Sequence, residues 1–478
     1  MRRLALAAAA FALVAPGAAQ AYTPNDPLAS RQWYLSQDHA FDFWSAPPAL
    51  PPVRVALIDS GIDGSHPEFD GKIAAAKSFV GGSALTDEQG HGTFVAGEIA
   101  AATGNGAGIA AVAPTARLLV AKVVNAGGSI PLAAEVRAIR WAADQHARVI
   151  NLSLGGVRDP LDSKQDTFSP QERSAIEYAV RRGALVVAAV GNGDDAPTEP
   201  WNYASYPAAL PHVLGVSAFG PDGSVPAFSN RDPVYDDIAA PGQEILSTFP
   251  FALTARSPGC PDQGYSSCGT RSFRRGDGTS FAAPQVSAAA AVLFATRPGL
   301  TADQAEEILE HSADDATPST GCKLCRVGRD SLTGWGMLDL ATALKALARP
   351  LPTRDRFEPN DDAGARAYKL SGRRRQFVAT LDYWDDHRDV YRVLLRPRQR
   401  IAVGARGRAH TALRLALWRP GTRTLASRAA RRFRVAYSAR PGSLQRIGYT
   451  ARAGGWYYVA VTIAKPGSGS YRLGLTKS

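Results

Sequence analysis

The stretch "VRVALID", residues 53–59, crowds apolar side chains onto both alternating faces and then closes on an aspartate, Asp59. A strand with one wet face alternates apolar and polar residues, whereas a near-continuous apolar run marks a strand buried on both sides. Three further runs have the same texture: "RLLVAKVV" (117–124), "RVINLSL" (148–154) and "ALVVAAV" (184–190). Helical patterns occupy 91–102, 131–146 and 169–182 between them. This alternation predicts an α/β fold, doubly wound, with a mostly parallel sheet covered by helices on both faces. Ligands on such sheets bind at the carboxyl ends of the strands, which is where Asp59 stands.

At 478 residues the chain exceeds the size at which one hydrophobic core stops growing, so two domains are expected. A composition of 45% hydrophobic and 20% charged residues is that of a folded protein with room for rigid active-site chemistry. After Pro350 the texture changes. The first domain is expected over 22–350, a Pro/Arg/Asp linker over 351–356, and a second domain over 357–478. In the last of these, "QFVATL", "DVYRVLL", "RIAVGA", "LRLALW", "RIGYTA", "WYYVAVTI" and "YRLGLT" are separated by Gly/Pro turns. Such runs predict a smaller all-β sandwich or jelly roll. The net charge of +11 conceals a division: residues 354–478 hold 27 Lys+Arg against 8 Asp+Glu, leaving 27 against 35 for the rest.

Residues 1–21 read as an export signal, with Arg2 and Arg3, an apolar stretch from Leu4 to Val14, and Ala19-Gln20-Ala21 as an A-x-A cleavage site. No later segment approaches the roughly 20 apolar residues of a membrane span, so the expectation is a secreted or periplasmic monomer beginning near Tyr22 and not an integral membrane protein. Four cysteines in an exported chain permit two disulfides, and the local pairs Cys260–Cys268 and Cys322–Cys325 are the first choice. The Cys322-Lys323-Leu324-Cys325 spacing also fits a redox motif or half a zinc site, although no second pair with metal-ligand spacing follows.

Three polar residues stand where the sheet would expose them. Asp59 ends a strand, His91 opens "HGTFVAGEIA" among small residues, and Ser280 begins "SFAAPQVSAAAAVLF" after Gly278-Thr279. Each has an ordinary reading: a turn aspartate, a surface histidine, a helix N-cap serine. The mouth of a helix also favours developing negative charge, so position alone leaves Ser280 undecided.

In combination, "DSGID", "HGTFVAG" and "GTSFAAP", in the order Asp, His, Ser, resemble the signatures of the subtilisin-like serine proteases, the subtilases of peptidase family S8. The resemblance spans about residues 22–347 and includes "YTPNDP", "INLSLGG", "AAVGN", "YPAAL" and "AAPG". It implies that Ser280 is the nucleophile, His91 the general base and then acid, Asp59 the group that orients His91, and Asn192 the side-chain donor to the oxyanion. It further implies an extended substrate along Ser153, Leu154 and Gly155, with Ala189, Val190 and Gly191 completing a small apolar primary pocket. Asp194 and Asp195 are expected to be a solvated loop pair. A structural calcium would be held by Asp26, Glu68 and Asn105 with the carbonyls of Ala102, Ala107 and Ile109.

The chain departs from the family pattern at three places. "YTPNDP" follows Ala21 directly where relatives carry a folding propeptide, so the protein is expected to fold unaided or with help from another chain or its own second domain. "SPGCPDQGYSSCGTRSFRRGD" has the look of an inserted, disulfide-clipped loop upstream of Ser280, and Gln285 replaces a histidine common after the motif proline.

Residues 355–478 resemble the bacterial pre-peptidase C-terminal domain, on "FEPNDDAGARAYKL", "HRDVYRVLL" and "GWYYVAVTIAKPGSGSYRLGLT". Its basic charge points to polyanion or cell-surface partners. Asp382, Asp385, Asp386 and Asp389 form a local acidic cluster that fits either Ca²⁺ binding or neutralisation of nearby arginines, and the second is the expectation. The function so implied is a secreted serine endopeptidase acting through an acyl-enzyme on protein and peptide substrates. A silent adhesion protein with the same fold would not keep all four catalytic positions, and a serine esterase of the α/β-hydrolase type requires the order Ser, Asp, His.

Overall fold

A computed structural model describes residues 21–193, 196–254, 272–408, 411–425 and 428–478. The expected signal apart from Ala21, the Cys260–Cys268 bridge and the Asp194/Asp195 pair lie outside the described residues.

A seven-stranded parallel sheet is built from β1 (Arg54–Asp59), β2 (Ile73–Ser78), β3 (Arg117–Lys122), β4 (Val149–Leu152), β5 (Leu185–Ala189), β6 (Val213–Phe219) and β7 (Ile238–Pro241). Their order is β2-β3-β1-β4-β5-β6-β7. The helices are α1 (Trp33–Gln37), α2 (His91–Ala100), α3 (Leu132–Asp144), α4 (Pro170–Arg181), α5 (Phe251–Thr254), α6 (Thr279–Thr296), α7 (Ala302–Ser312) and α8 (Leu340–Ala346). Alternate residues of each strand feed opposite cores. Leu57, Val120 and Val187 join Phe94, Ile99 and Val286 of α2 and α6, while Ile58, Ala121 and Val186 meet Ile139 and Ile176 of α3 and α4. Two-sided burial is therefore why "VRVALID" carries no polar alternation. β2, β6 and β7 escaped the sequence reading; β2 is small-residued and half-exposed, and β7 is only four residues long.

α6 is apolar all round and long enough to cross a membrane by composition, yet most of it is buried against the sheet and α2. Such a helix is a core helix. It is delivered by an antiparallel pair, β8 (Ile245–Thr248) and β9 (Phe273–Gly276). Cys322 and Cys325 form a disulfide, buried with Phe219, Ala239 and Met337.

The C-terminal strands form two facing sheets. One runs β10-β12-β17-β14-β15, from β10 (Tyr368–Leu370), β12 (Arg388–Leu395), β17 (Gly455–Ile463), β14 (Leu413–Trp418) and β15 (Arg434–Ser438). The other runs β11-β18-β13-β16, from β11 (Arg374–Asp382), β18 (Ser468–Lys477), β13 (Arg400–Gly407) and β16 (Leu444–Thr450). Their inward residues, among them Phe377, Tyr391, Leu415, Val459 and Leu473, make one core. All seven expected runs are strands, and β10 and β15 add to them.

The sandwich is fastened to the sheet region by polar contacts. Arg366 Nε donates to both carboxylate oxygens of Glu177 (2.7 and 3.0 Å), and His212 Nε2 lies 3.3 Å from Asp361 and 3.4 Å from Glu358. The connecting segment is itself pinned, since Asp355 accepts from the amides of Phe357 (2.8 Å) and Thr380 (2.6 Å). One expectation fails: among the described residues no Lys or Arg forms an ion pair with Asp382, Asp385, Asp386 or Asp389. Asp389 instead takes the hydroxyls of Tyr391 and Tyr471, and the others face the sheet region.

Candidate active site

The sheet order reverses beside β1, so the carboxyl ends of β1 and β4 flank the crossing where such folds place their sites. Asp59 closes β1 and is 2% exposed. His91 is the first residue of α2, and its Nδ1 lies 2.8 and 3.0 Å from the two Asp59 carboxylate oxygens. The helix can start this close to the strand because Gly92 has no side chain. A Cβ there would sit 2.1 Å from the carbonyl oxygen of Gly61. Burial opposes charge on the imidazole, but the Asp59 carboxylate outweighs it and raises the His91 pKa above its ordinary value.

A buried carboxylate that the sequence reading missed holds this corner. Asp87 accepts from the amides of Gln89, Gly90 and Thr93 and from the hydroxyls of Ser60 and Thr93 (2.7–3.1 Å). It gives α2 the cap that Gly90 lacks and places negative charge at the helix's positive end. Its sequence signal was an acidic residue just ahead of "GHG". Ser60 in turn accepts the amide of Gly92 (2.9 Å), tying β1 to α2 beneath the Asp59–His91 pair.

Ser280 lies in the first turn of α6. Pro284, four residues on, has no N–H, so the Ser280 carbonyl loses its helical donor. Ser153 Oγ replaces it at 2.7 Å, and the Ser280 hydroxyl donates back to the Ser153 carbonyl at 3.2 Å. This reciprocal pair joins the end of β4 to the start of α6. Phe281 packs 4.2 Å from Phe94 and 5.5 Å from the His91 ring, so the residue after Ser280 also buttresses the imidazole. Asn192 follows β5, and its Oδ1 accepts from the Thr279 amide (3.0 Å) and hydroxyl (2.9 Å). Its Nδ2 is thereby turned the other way: a point one bond from the Gly278 Cα lies 3.4 Å from Asn192 Nδ2 and 3.7 Å from the Ser280 amide nitrogen. Asn192 Nδ2 and the Ser280 amide nitrogen are thus both near the backbone at Gly278, just ahead of Ser280.

A cavity of about 160 Å³ opens here, lined by Leu154, Gly155, Gly156, Ala189, Gly191 and Ser280 among others. A side chain at Gly155 would meet the Tyr206 carbonyl at 2.4 Å, so the wall must stay bare. The Val190 side chain is buried in the sheet core, and the Ser153 hydroxyl is spent on the Ser280 carbonyl.

Gln285 Nε2 reaches Glu98 Oε2 (3.0 Å) and the carbonyls of Pro241 (2.8 Å) and Phe281 (2.7 Å), bridging α6 to α2. Burial, relieved in part by Gln285, drives the Glu98 pKa well above the ordinary carboxylate range.

Away from the cleft, Asp26 and Glu68 converge on the loop at 104–109. Asp26 accepts from the amides of Gly104 (2.7 Å) and Asn105 (3.2 Å), and Glu68 Oε1 from Ile109 (3.2 Å). Glu68 Oε2 is buried with no hydrogen-bond partner among the described residues. Burial, with Asp26 adding to it, lifts the Glu68 pKa to about 7. Asn105 Oδ1 is turned back to the Ala107 amide (2.9 Å). An orphaned oxygen beside a second carboxylate fits a cation here.

Residues 52–336 match the Subtilase family, Peptidase S8. Thermitase of Thermoactinomyces vulgaris is 33% identical over 296 residues, covering 61% of this chain and 92% of that protein. A protease of Pseudoalteromonas arctica is 26% identical with a TM-score of 0.53, over 68% of this chain and 99% of that one. Fervidolysin from Fervidobacterium pennivorans, a keratinolytic enzyme related to subtilisin, shares the fold over 92% of this chain and 56% of its own, with a TM-score of 0.58 at 24% identity.

Proposed function

Because the chain belongs to the subtilase family and is a serine endopeptidase, we propose that it is exported and hydrolyses peptide bonds through an acyl-enzyme on Ser280. The observation that supports the residue assignment is the 2.8 Å contact of His91 Nδ1 with buried Asp59, with the ring of Phe281, the residue after Ser280, 5.5 Å from the imidazole.

Substrate backbone lies along 153–155, with an apolar P1 side chain in the 160 Å³ cavity. Ser280 Oγ attacks the scissile carbonyl as its proton passes to His91 Nε2. The carbonyl oxygen takes the negative charge and accepts from Asn192 Nδ2 and the Ser280 amide. The intermediate collapses by breaking the C–N bond, and the leaving amine takes the proton from His91. Water then repeats the sequence: His91 accepts its proton, hydroxide adds to the ester carbon, and Ser280 leaves with that proton restored. The resting hydroxyl bond to Ser153 is consistent with this path, because catalytic hydrogen bonds in free enzymes are often loose and tighten on substrate.

Calcium would be held by Asp26 and Glu68, aided by Asn105 and the carbonyls of Ala102, Ala107 and Ile109, and would fix the N-terminal segment to the 104–109 loop. The chain is organised as a catalytic domain over 22–350 and an accessory sandwich over 357–478. The sandwich serves as a polyanion-binding surface, supported by the outer face of the β11-β18-β13-β16 sheet. Arg374, Arg400, Arg406, Arg446 and Arg472 share that face, with Gly404, Gly448 and Gly474 as its floor. Arg406 lies directly opposite Arg472. Like charges placed so repel one another, and a bound polyanion would relieve them.

The test is casein cleavage by the full chain, by its Ser280→Ala variant, and after a serine-directed covalent inhibitor. Cleavage by the parent alone is expected. Intact casein with folded, calcium-supplied parent protein would overturn the reading.

A further inference from the structure

The acidic side chains of residues 354–478 all fall between Asp355 and Asp389, and from Val390 to Ser478 there are 19 Lys+Arg and no acid. These acids do not offset the arginines. Several are folded against the acidic side of the sheet region, where a cavity of about 430 Å³ is lined by Asp303, Glu306 and Glu310 from α7 and by Asp382, Asp385 and Asp386 from the sandwich. Two like-charged surfaces that meet this way repel unless something positive lies between them. The protein supplies little. Arg329 bonds Asp237 (3.0 Å) and spends its other contacts on the carbonyls of Pro233, Val234 and Asp236. Arg408 and His212 also line the cavity, and His212 Nε2 is held by Asp361 (3.3 Å) and Glu358 (3.4 Å).

At one end of this cluster, carboxylate oxygens of Asp237, Glu310 and Asp385 lie within 4.8 Å of one another. Glu310 is 3% exposed and its Oε1 has no hydrogen-bond partner among the described residues; the same holds for Oε1 of its helical neighbour Glu306, 7% exposed. A buried, unpaired carboxylate must either hold a proton or meet a compensating positive charge, and a cation shared by several such groups supplies that charge. Oxygens about 2.4 Å from a calcium ion stand up to about 4.8 Å apart across it, so the three fit one coordination sphere completed by water.

We propose that Asp237, Glu310 and Asp385 form a calcium site that clamps the C-terminal sandwich to the sheet region. The ion takes two ligands from the sheet region and one from the sandwich, so its binding energy is docking energy. It is separate from the loop site at Asp26 and Glu68 and from the catalytic cleft.

The structure supplies a local reporter. Trp384, next to Asp385, lies 5.1 Å from Trp335 and beneath the Arg329 guanidinium, so a terbium ion in the site is sensitised through tryptophan. The experiment uses the full chain carrying Ser280→Ala to prevent self-digestion, stripped with EDTA and titrated with terbium, then calcium. Sensitised emission that excess calcium displaces is expected. Glu310→Gln and Asp385→Asn should each weaken terbium binding at least about tenfold. Melting separates this from a general packing defect. In EDTA both variants should melt no lower than their parent, because removing a carboxylate relieves repulsion, whereas calcium should raise the parent's midpoint more than theirs. Absence of calcium-displaceable emission, or equal calcium stabilisation of parent and both variants, would overturn the site.

Discussion

The sheet region and the C-terminal sandwich handle charge in opposite ways. Around the cleft, the buried carboxylates Asp59 and Asp87 are saturated with donors, and each bond fixes the position of a neighbouring element. In the sandwich, acids are gathered at one end and arginines spread over the outer sheet. Charge inside the first region sets geometry at the scale of a single bond. Charge on the second sets which surfaces attract and which repel.

The contrast breaks most visibly at Asp59. Asp59→Asn should lower kcat roughly 10⁴-fold while leaving the fold intact, because the imidazole loses its orienting charge. In the parent, kcat/KM should rise with pH as His91 loses its proton, with a midpoint above the ordinary 6.5 because the raised pKa holds that proton longer. If the asparagine variant showed the same midpoint, the Asp59 carboxylate would not be what sets it. Next is Asn192→Ala, expected to reduce kcat about 10²–10³-fold with KM little changed, as befits a donor used in the transition state. Equal losses in binding and turnover would move Asn192 from oxyanion to ground-state contact.

A third measurement tests the junction. Burial opposes the charge on His212, but Asp361 overcomes it and lifts its pKa to about 9. A raised pKa contributes stability that is complete below about 6.5 and lost as pH rises through about 9. Melting of the full chain should therefore fall across that window, and His212→Gln should flatten the profile at a cost of a few kcal/mol at neutral pH. The smallest effect concerns the outer arginines. Arg406→Ser with Arg472→Ser should elute from heparin at lower salt than the parent with casein turnover unchanged. Unaltered elution would place polyanion binding on another face.

Much of the sheet region was legible because its physics is local. A strand buried on both faces writes a continuous apolar run, and strand-helix alternation forces a parallel sheet. The Asp, His and Ser motifs were legible only together, since each residue has an ordinary local role. What escaped was short or acted at a distance. Asp87 looks like a loop acid until five donors converge on it, the Ser153 hydroxyl has no visible task until Pro284 frees the Ser280 carbonyl, and the Val190 side chain looks like pocket wall until it is found in the sheet core. The charge imbalance of the sandwich was visible, but the expectation that its acids answer its arginines was wrong, because composition carries no direction.

The sequence by itself determined four buried strands and the helices between them, the Asp, His and Ser motifs and their order, and the β-rich texture after Pro350. These follow from periodicity and turn chemistry, which neighbouring residues carry. Only tertiary structure decided that Asn192 accepts from Thr279 at the start of α6, that the hydroxyl of Ser280 rests on Ser153, and that Glu310 meets Asp385 across the junction. Those contacts join residues far apart in the chain, and no local pattern encodes the distance between them.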